Sequence, residues 1–355
     1  MQSVAIPRVG RWAEAFRVPL HRGHVAYLDG WRGVCILLVL VGHFIAPLGF
    51  TGNVGVEFFF ALSGRLMAEI LIGRRQPVGI FVRRRIARVV PATLVYVAVC
   101  TALLAAAAFR SGQPMDWVSP AAATLFVHNY LPASNVTALL EHTWSLAVEE
   151  HSYLLLIAIA MLTARRPVLA ATLALGIAAL TIANGIWSSA HQAVDTQWVY
   201  WRSDVRAASV LLSFAFQIAV SMAVGRTRAV LIGLALVLAA ICGVAPVLPG
   251  TLLPATVAAI LAANLIDFAP AAAKRALSHP VLVTAGTLSF SLYLWQQLFY
   301  VLHQGGAPEL LLVPLLLIVA TLSFRTVEQP WRERLSRGRP AAQPASPRPP
   351  APANP

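Results

Sequence analysis

The chain has 355 residues, of which 58% are hydrophobic and 12% are charged, and its formal net charge is +13. A soluble domain carries about twice this share of charged residues, so the composition excludes an ordinary soluble protein. The sequence predicts an all-α polytopic membrane protein, because helices satisfy their own backbone hydrogen bonds in lipid.

Ten apolar segments are long enough to cross a bilayer, so we predict about ten transmembrane helices. They lie at residues 31–50, 54–72, 88–109, 144–164, 168–187, 207–225, 229–247, 251–268, 281–302 and 309–327. Arginines gather in alternate connections, which the positive-inside rule assigns to the cytoplasm. Both termini are therefore predicted to be cytoplasmic.

This distribution attributes the net charge to topology and to contact with membrane lipids, and not to nucleic-acid binding. Three regions are predicted. Residues 1–26 form a basic cytoplasmic segment, 27–330 a membrane domain, and 331–355 a disordered cytoplasmic tail rich in Pro, Ala and Arg. Because no soluble domain follows the last predicted span, we expect the membrane bundle itself to carry any chemistry.

The cysteines give no sign of a metal or disulfide framework. Cys35, Cys100 and Cys242 all fall in apolar stretches, where free cysteines act as small hydrophobic residues. The sequence contains no Cys-x-x-Cys and no His-x-x-x-His pair. We therefore expect no metal site.

The first predicted span carries two basic side chains on one face. Arg32 and His43 are eleven residues apart, which is three helical turns plus about 20°. The rise between them is about 16 Å, so His43 is predicted near the middle of the bilayer. An ionisable side chain at that depth is costly unless it faces protein or water, so a functional site is expected there.

Three glutamates near membrane depth are candidate partners for His43. Glu57 opens the second span, and the short connection predicts that it neighbours the upper part of span one. Glu149 and Glu150 begin the fourth span about 100° apart, so at most one of them is expected to share a pocket with His43. A carboxylate there would orient the imidazole for general-base catalysis. The alternative is a set of polar bonds that only hold helices together.

Four arginines lie between positions 83 and 88, ahead of the third span. Arg85 and Arg88, at i and i+3, share a helix face and can grip phosphate groups through bidentate hydrogen bonds. Anchoring to anionic lipid is the alternative. Residues 188–206 mix Trp, Tyr and Asp, which indicates either an interfacial aromatic belt or a carbohydrate-binding surface.

Six short runs, in this order, resemble the motifs of the acyltransferase-3 family of integral-membrane O-acyltransferases. The runs are Leu28–Gly33 with His43, Gly55–Gly64, Phe81–Pro91, Trp144–Glu150, Phe290–Trp295 and Phe324–Pro330. The resemblance implies transfer of an acyl group, commonly acetyl, from cytoplasmic acyl-CoA to a hydroxyl of a sugar, glycan or glycosylated metabolite. It also implies a bacterial cytoplasmic (inner) membrane location.

The resemblance further implies roles for single residues on the donor side. His43 matches the histidine of the family's first span and is expected to be the catalytic base. Arg32 matches its paired basic residue. Arg85 and Arg88 match the arginines expected near the CoA phosphates.

On the acidic side, Glu149 or Glu150 matches the pair that follows the Trp-Ser-Leu motif, and Glu57 stands where Asp is more usual. His151 replaces a usual Gln, and Gln296 and Gln297 stand where His is frequent. The two last departures concern the polar network on the acceptor side.

Other mechanisms and functions stay open at this point. His43 can itself accept the acyl group, and Ser63 or Ser145 are weaker nucleophile candidates that are also suited to helix packing. A proton-coupled transporter or a flippase of a lipid-linked glycan uses similar buried groups. A non-catalytic scaffold leaves those polar residues without a purpose.

Overall fold

The computed structural model describes residues 25–191, 196–222 and 252–336. Across these ranges the regular elements are helices, with no strand among them. The α-helices, in chain order, are α1 (Ala26–Phe44), α2 (Phe50–Met67), α3 (Val78–Ser111), α4 (Val118–Thr124), α5 (Thr143–Leu162), α6 (Pro167–His191), α7 (Thr196–Trp201), α8 (Ser203–Met222), α9 (Leu252–Leu265), α10 (Ala271–Leu277), α11 (Pro280–Thr287), α12 (Ser289–Gln304), α13 (Glu309–Ser323) and α14 (Gln329–Ser336). The chain is therefore all-helical where it is described, as predicted.

Six helices of the described ranges are long and apolar enough to cross a membrane: α1, α3, α5, α6, α8 and the continuous helix Glu309–Leu335. A seventh is obtained if Thr256–Phe268 and Ala271–Leu277, which meet at 111°, form one broken span. The predicted span at 229–247 lies outside the described residues. The number of about ten spans and the side of each terminus stay predictions.

Several boundaries differ from the predicted spans. The segment 281–302 consists of α11 and α12, which meet at Leu288. Helix α3 begins ten residues before the predicted position, since arginine favours helix and does not interrupt it. With 34 residues, α3 is about 51 Å long, which exceeds the thickness of the hydrocarbon core. Its arginine-rich first turns therefore have room to extend beyond the lipid tails.

The tail prediction needs a correction at its start. Helix α14 runs to Ser336, so residues 331–336 are helical and not disordered. Composition missed this because α13 continues through a π-helical segment, Phe324–Glu328, directly into α14. The rest of the predicted tail and residues 1–24 of the predicted basic segment lie outside the described residues.

The bundle is built around α8, most of whose residues are buried. It packs against α2, α5, α6 and α9, while α1 lies between α2 and α11. The α1–α11 contact is unusually close, since a Cβ on Gly33 would lie 2.1 Å from the Leu282 carbonyl oxygen and one on Gly286 1.7 Å from that of Asp29. Small residues allow this backbone approach between membrane helices. Helix α1, with Arg32 and His43, is thereby held firmly in place.

Candidate active site

Three pockets follow one another through the bundle and share lining residues. The first, here the arginine pocket, is lined by Arg32, Arg88 and Arg332 among others. The second, the central pocket, is also lined by Arg32 and Arg88. The third, the histidine pocket, contains His43 and shares Val56 and Tyr293 with the central pocket.

The arginine pocket collects basic side chains from three helices: Arg32 of α1, Arg88 of α3 and Arg332 of α14. Arg32 pairs with Asp29 at 3.4 Å, and Arg332 pairs with Glu328 at 3.3 Å. For Arg88, no carboxylate of the described ranges lies within ion-pair distance. Arg88 is therefore the cation of this pocket that is best placed to take an external anion.

Arg85, one turn before Arg88, has its charge compensated inside the protein. Its guanidinium donates to Glu149 at 2.6 Å and to Glu150 at 2.7 Å, and it lies 4.5 Å from the centre of the Tyr153 ring. Tyr153 also donates to Glu149 at 2.8 Å, and Ser63 makes a further short hydrogen bond to the same carboxylate. Both glutamates thus converge on one arginine, because its fork reaches across the angle between adjacent helical positions.

The two serines noted in the sequence both line the central pocket. Ser63 is bonded to Glu149, and Ser145 shares a 2.5 Å hydrogen bond with Tyr293. Tyr293 also donates to the backbone carbonyl of His142 at 3.0 Å. Tyr293 is therefore fixed at the wall that separates the central pocket from the histidine pocket.

His43 lines the histidine pocket, and no carboxylate of the described residues forms a hydrogen bond or an ion pair with its ring. Its ring centre lies 4.4 Å from that of Tyr300, and Gln296 is the polar side chain that approaches it. Its Nδ1 has no hydrogen-bond partner among the residues that are described. The structure thus brings Arg32 and His43 into one series of pockets, but it keeps Glu149 and Glu150 away from the imidazole.

Glu57 does not face α1 as expected from the short connection. It is fully buried on the opposite side of α2, in an ion pair with Arg206 of α8. Ser209 and Thr256 each donate to its carboxylate at 3.0 Å. Glu57 therefore ties α2 to α8 and α9, and loop length alone could not reveal which helix face it occupies.

Arg65, which the sequence places one turn from Glu69, makes its shorter ion pair elsewhere. It lies 2.7 Å from Asp267 and 3.6 Å from Glu69, with no exposed side-chain surface. Tyr27 donates to the same aspartate at 2.8 Å. These contacts fasten α2 to the bend after α9, outside the three pockets.

Sequence reasoning missed three pocket residues. Arg332 lay beyond the last predicted span, and Tyr293 was noted only as part of a motif. Glu141, just before α5, lines the histidine pocket, and burial raises the pKa of its carboxyl. The aromatic segment 188–206 contributes Trp201 to the same pocket. Over the described ranges, no group of three or more His, Cys, Asp or Glu side chains is arranged to hold a metal ion.

The chain is similar to known proteins over most of its length. The acyltransferase-3 family model, described as an acyltransferase domain, matches residues 25–325. Peptidoglycan O-acetyltransferase OatA of Listeria monocytogenes is 24% identical over 88% of this chain and 56% of its own length. O-acetyltransferase OatA of Staphylococcus aureus is 33% identical over 36% of this chain and 23% of its own length. The chain thus spans little more than half of the first relative, and no solved structure matches it significantly.

Proposed function

Because this chain belongs to the acyltransferase-3 family of membrane acyltransferases, we propose that it transfers an acyl group from acyl-CoA to a hydroxyl of a sugar or glycan. The names of two relatives, both O-acetyltransferases and one of peptidoglycan, support acetyl as the group and a glycan as the acceptor. The observation that carries the proposal is the series of three pockets, which joins a cluster of arginines to His43.

The donor enters the proposed path at the arginine pocket. Arg88, Arg32 and Arg332 hold the phosphates of CoA there, since guanidinium groups bind phosphate through paired hydrogen bonds. The pantetheine arm extends through the central pocket toward His43. Arg32 and His43 are about 16 Å apart along α1, and the extended arm is of similar length. In this proposal the arginine end faces the cytoplasmic side of the inner membrane, where acyl-CoA is available.

At the other end, His43 acts as general base in the proposed reaction. Its imidazole accepts the proton of the acceptor hydroxyl while the hydroxyl oxygen attacks the thioester carbonyl. The new ester C–O bond forms, the C–S bond breaks, and the proton passes from His43 to the departing CoA thiolate. General-base assistance of this kind accelerates reactions by about 10²–10⁴-fold. Gln296, whose side chain lies near the ring, is proposed to orient it.

The predicted carboxylates take supporting roles in this scheme. Glu149 and Glu150 hold Arg85 in the wall of the central pocket, beside the path of the pantetheine arm. Glu57 fixes α2, whose Val56 lies between the central and histidine pockets. All three are therefore proposed to position the machinery and not to exchange protons with the acceptor.

The test is acyl transfer by membranes that contain the protein. With acetyl-CoA labelled in the acetyl group, the wild-type chain should release CoA only when a glycan acceptor is added, and label should appear as an ester on that glycan. His43→Gln should lower this transfer at least about 100-fold. His303→Gln is the matched control, because His303 lies near the same end of the bundle outside the three pockets.

Transfer at the wild-type rate in His43→Gln would refute the proposed base. A transporter or flippase would instead move the glycan across the membrane without ester formation or CoA release. An acyl-enzyme route would leave label on His43, Ser63 or Ser145 when the acceptor is withheld, and direct transfer would leave none.

A further inference from the structure

The histidine pocket differs in charge from the two pockets that precede it. Arg32 and Arg88 line both of those, whereas the described lining of the histidine pocket contains no lysine and no arginine. Its aromatic and polar lining includes Glu141, Trp144, Trp201, Gln297, Tyr300 and Gln304. The arginine pocket is therefore the cationic end of the series, whereas the described lining of the histidine pocket, at the other end, has one carboxylate, that of Glu141.

The carboxylate of Glu141 has no partner of its own in the part of the chain that is described. It makes no hydrogen bond and no ion pair there, in contrast to Glu57, Glu149 and Glu150. Burial raises its pKa, and no neighbouring cation offsets that effect. A half-buried carboxylate that faces a cavity in this way is stabilised most by a ligand that donates hydrogen bonds to it or carries a positive charge.

The rest of the lining suits the ring of a sugar. Gln297 donates its amide to the carbonyl of Ala138 at 2.8 Å, which holds its side chain in place and leaves its amide oxygen to accept from a ligand. Gln304 donates to the Tyr300 hydroxyl at 2.8 Å, which fixes the Tyr300 ring beside His43. Aromatic faces combined with oxygen acceptors match a pyranose, which offers apolar C–H faces and hydroxyl donors.

We propose that the histidine pocket is the acceptor site and that it selects neutral or amino-bearing sugars over anionic ones, with Glu141 as the residue that determines this choice. The inference rests on the proposed function only in naming the bound sugar an acceptor. A uronate or a phosphosugar would bring a second negative charge next to Glu141 into a cavity whose described lining has no lysine or arginine to compensate it. The charge preference itself is a property of binding and can be measured without acyl transfer.

The experiment is a binding titration on the purified full chain in detergent, followed by tryptophan fluorescence, since Trp144 and Trp201 line the pocket. The probes are di-N-acetylchitobiose (neutral), chitobiose (two free amines) and cellobiouronic acid (one carboxylate). Wild-type protein should bind the first two at least about tenfold more tightly than the third. Glu141→Gln should reduce this ratio to about twofold.

Two variants control the result. Glu141→Asp keeps the charge and should keep the preference, so a test remains if Glu141→Gln does not fold. Glu309→Gln removes a carboxylate that pairs with His303 outside the pocket, and it should leave the preference unchanged.

Absence of saturable binding by all three probes would overturn the inference, as would an unchanged preference in folded Glu141→Gln. Loss of the preference in Glu141→Asp would also overturn the role given to the charge. The acyl-transfer assay run alongside separates the two proposals. Charge-selective binding without transfer refutes the proposed function alone, whereas transfer without charge selection refutes this inference alone.

Discussion

Arg85 and Arg88 lie one turn apart on α3, and their replacement by glutamine should produce two different defects. Arg88 lines the arginine and central pockets with no carboxylate of the described chain in ion-pair contact. Arg85 is bonded to Glu149 and Glu150, with 15% of its side chain exposed. The first variant should weaken donor binding, and the second should destabilise the protein.

The size of the Arg88→Gln effect follows from the loss of a charge-assisted hydrogen bond to phosphate. Such a bond contributes about 1.5–3 kcal/mol, which corresponds to a KM for acetyl-CoA that is about 10- to 150-fold higher. The kcat should change little, because the phosphate contact is the same in the ground state and the transition state. S-acetylpantetheine carries no phosphate, so its KM should not change.

Arg85→Gln leaves Glu149 and Glu150 side by side without their ion-pair partner. Breaking a buried ion pair by removing one partner costs about 3–5 kcal/mol of folding free energy. The thermal unfolding midpoint in detergent should therefore fall clearly below that of the wild type. Activity with acetyl-CoA and with S-acetylpantetheine should fall together, because the wall of the central pocket is disturbed for both donors.

The assay measures kcat and KM with both donors for each variant, together with thermal unfolding. An equal rise of KM for both donors in Arg88→Gln would refute the assignment of Arg88 to the phosphates. A selective rise for acetyl-CoA in a fully stable Arg85→Gln would show that Arg85, despite its two glutamates, is the phosphate ligand.

Three further predictions concern other parts of the molecule. Burial lowers the pKa of His128 to about 4, whereas the same side chain in the unfolded protein has a pKa of about 6.5. The free energy of unfolding should therefore be unaffected by this group above pH 6.5 and should decrease by up to about 3 kcal/mol as the pH falls toward 4. Thermal unfolding measured against pH should show this decrease, and His128→Gln should flatten it. Gly286→Ala should lower the free energy of unfolding by at least about 1–3 kcal/mol, because the new Cβ would lie 1.7 Å from the Asp29 carbonyl oxygen. Gly176→Ala is the control, since Gly176 has open space around it. Equal stability of the two variants would contradict the close α1–α11 packing. Tyr293→Phe removes the hydroxyl at the wall between the central pocket and the histidine pocket, and it should lower the rate of acyl transfer about two- to tenfold at unchanged stability. A wild-type rate would argue against a positioning role for this hydroxyl.

Much of the fold could be predicted because apolar length and helical periodicity are local properties. The spacing of Arg32 and His43 on one helix is of this kind, and the structure places both in the same series of pockets. The catalytic and binding roles assigned to them stay predictions. The break at Leu288 and the bend after Phe268 escaped notice, because an apolar composition does not record where a helix changes direction.

Partnerships between helices were harder to predict than the helices themselves. Glu57 was expected near α1, yet it pairs with Arg206, 149 positions further along the chain. Glu141 and Arg332 carried no local signal, since one lies in a connection and the other beyond the last predicted span. Which face of a helix meets which neighbour depends on packing across the whole bundle, and no pattern within one segment encodes it.

The tight contact between α1 and α11 holds α1 in position, and α1 carries both Arg32 and His43. Gly33 and Gly286 bring the two backbones so close that a side chain at either position would overlap the neighbouring helix. Arg32 and His43 lie on one unbroken helix, so the rise of that helix fixes their separation. In the proposed reaction this separation has to match the distance between the phosphates and the reactive carbonyl carbon of the donor. If the proposed reaction holds, every acyl donor with the same pantetheine length should bring its carbonyl carbon to His43, whatever acyl chain it carries, whereas a donor with a shorter or longer arm should not.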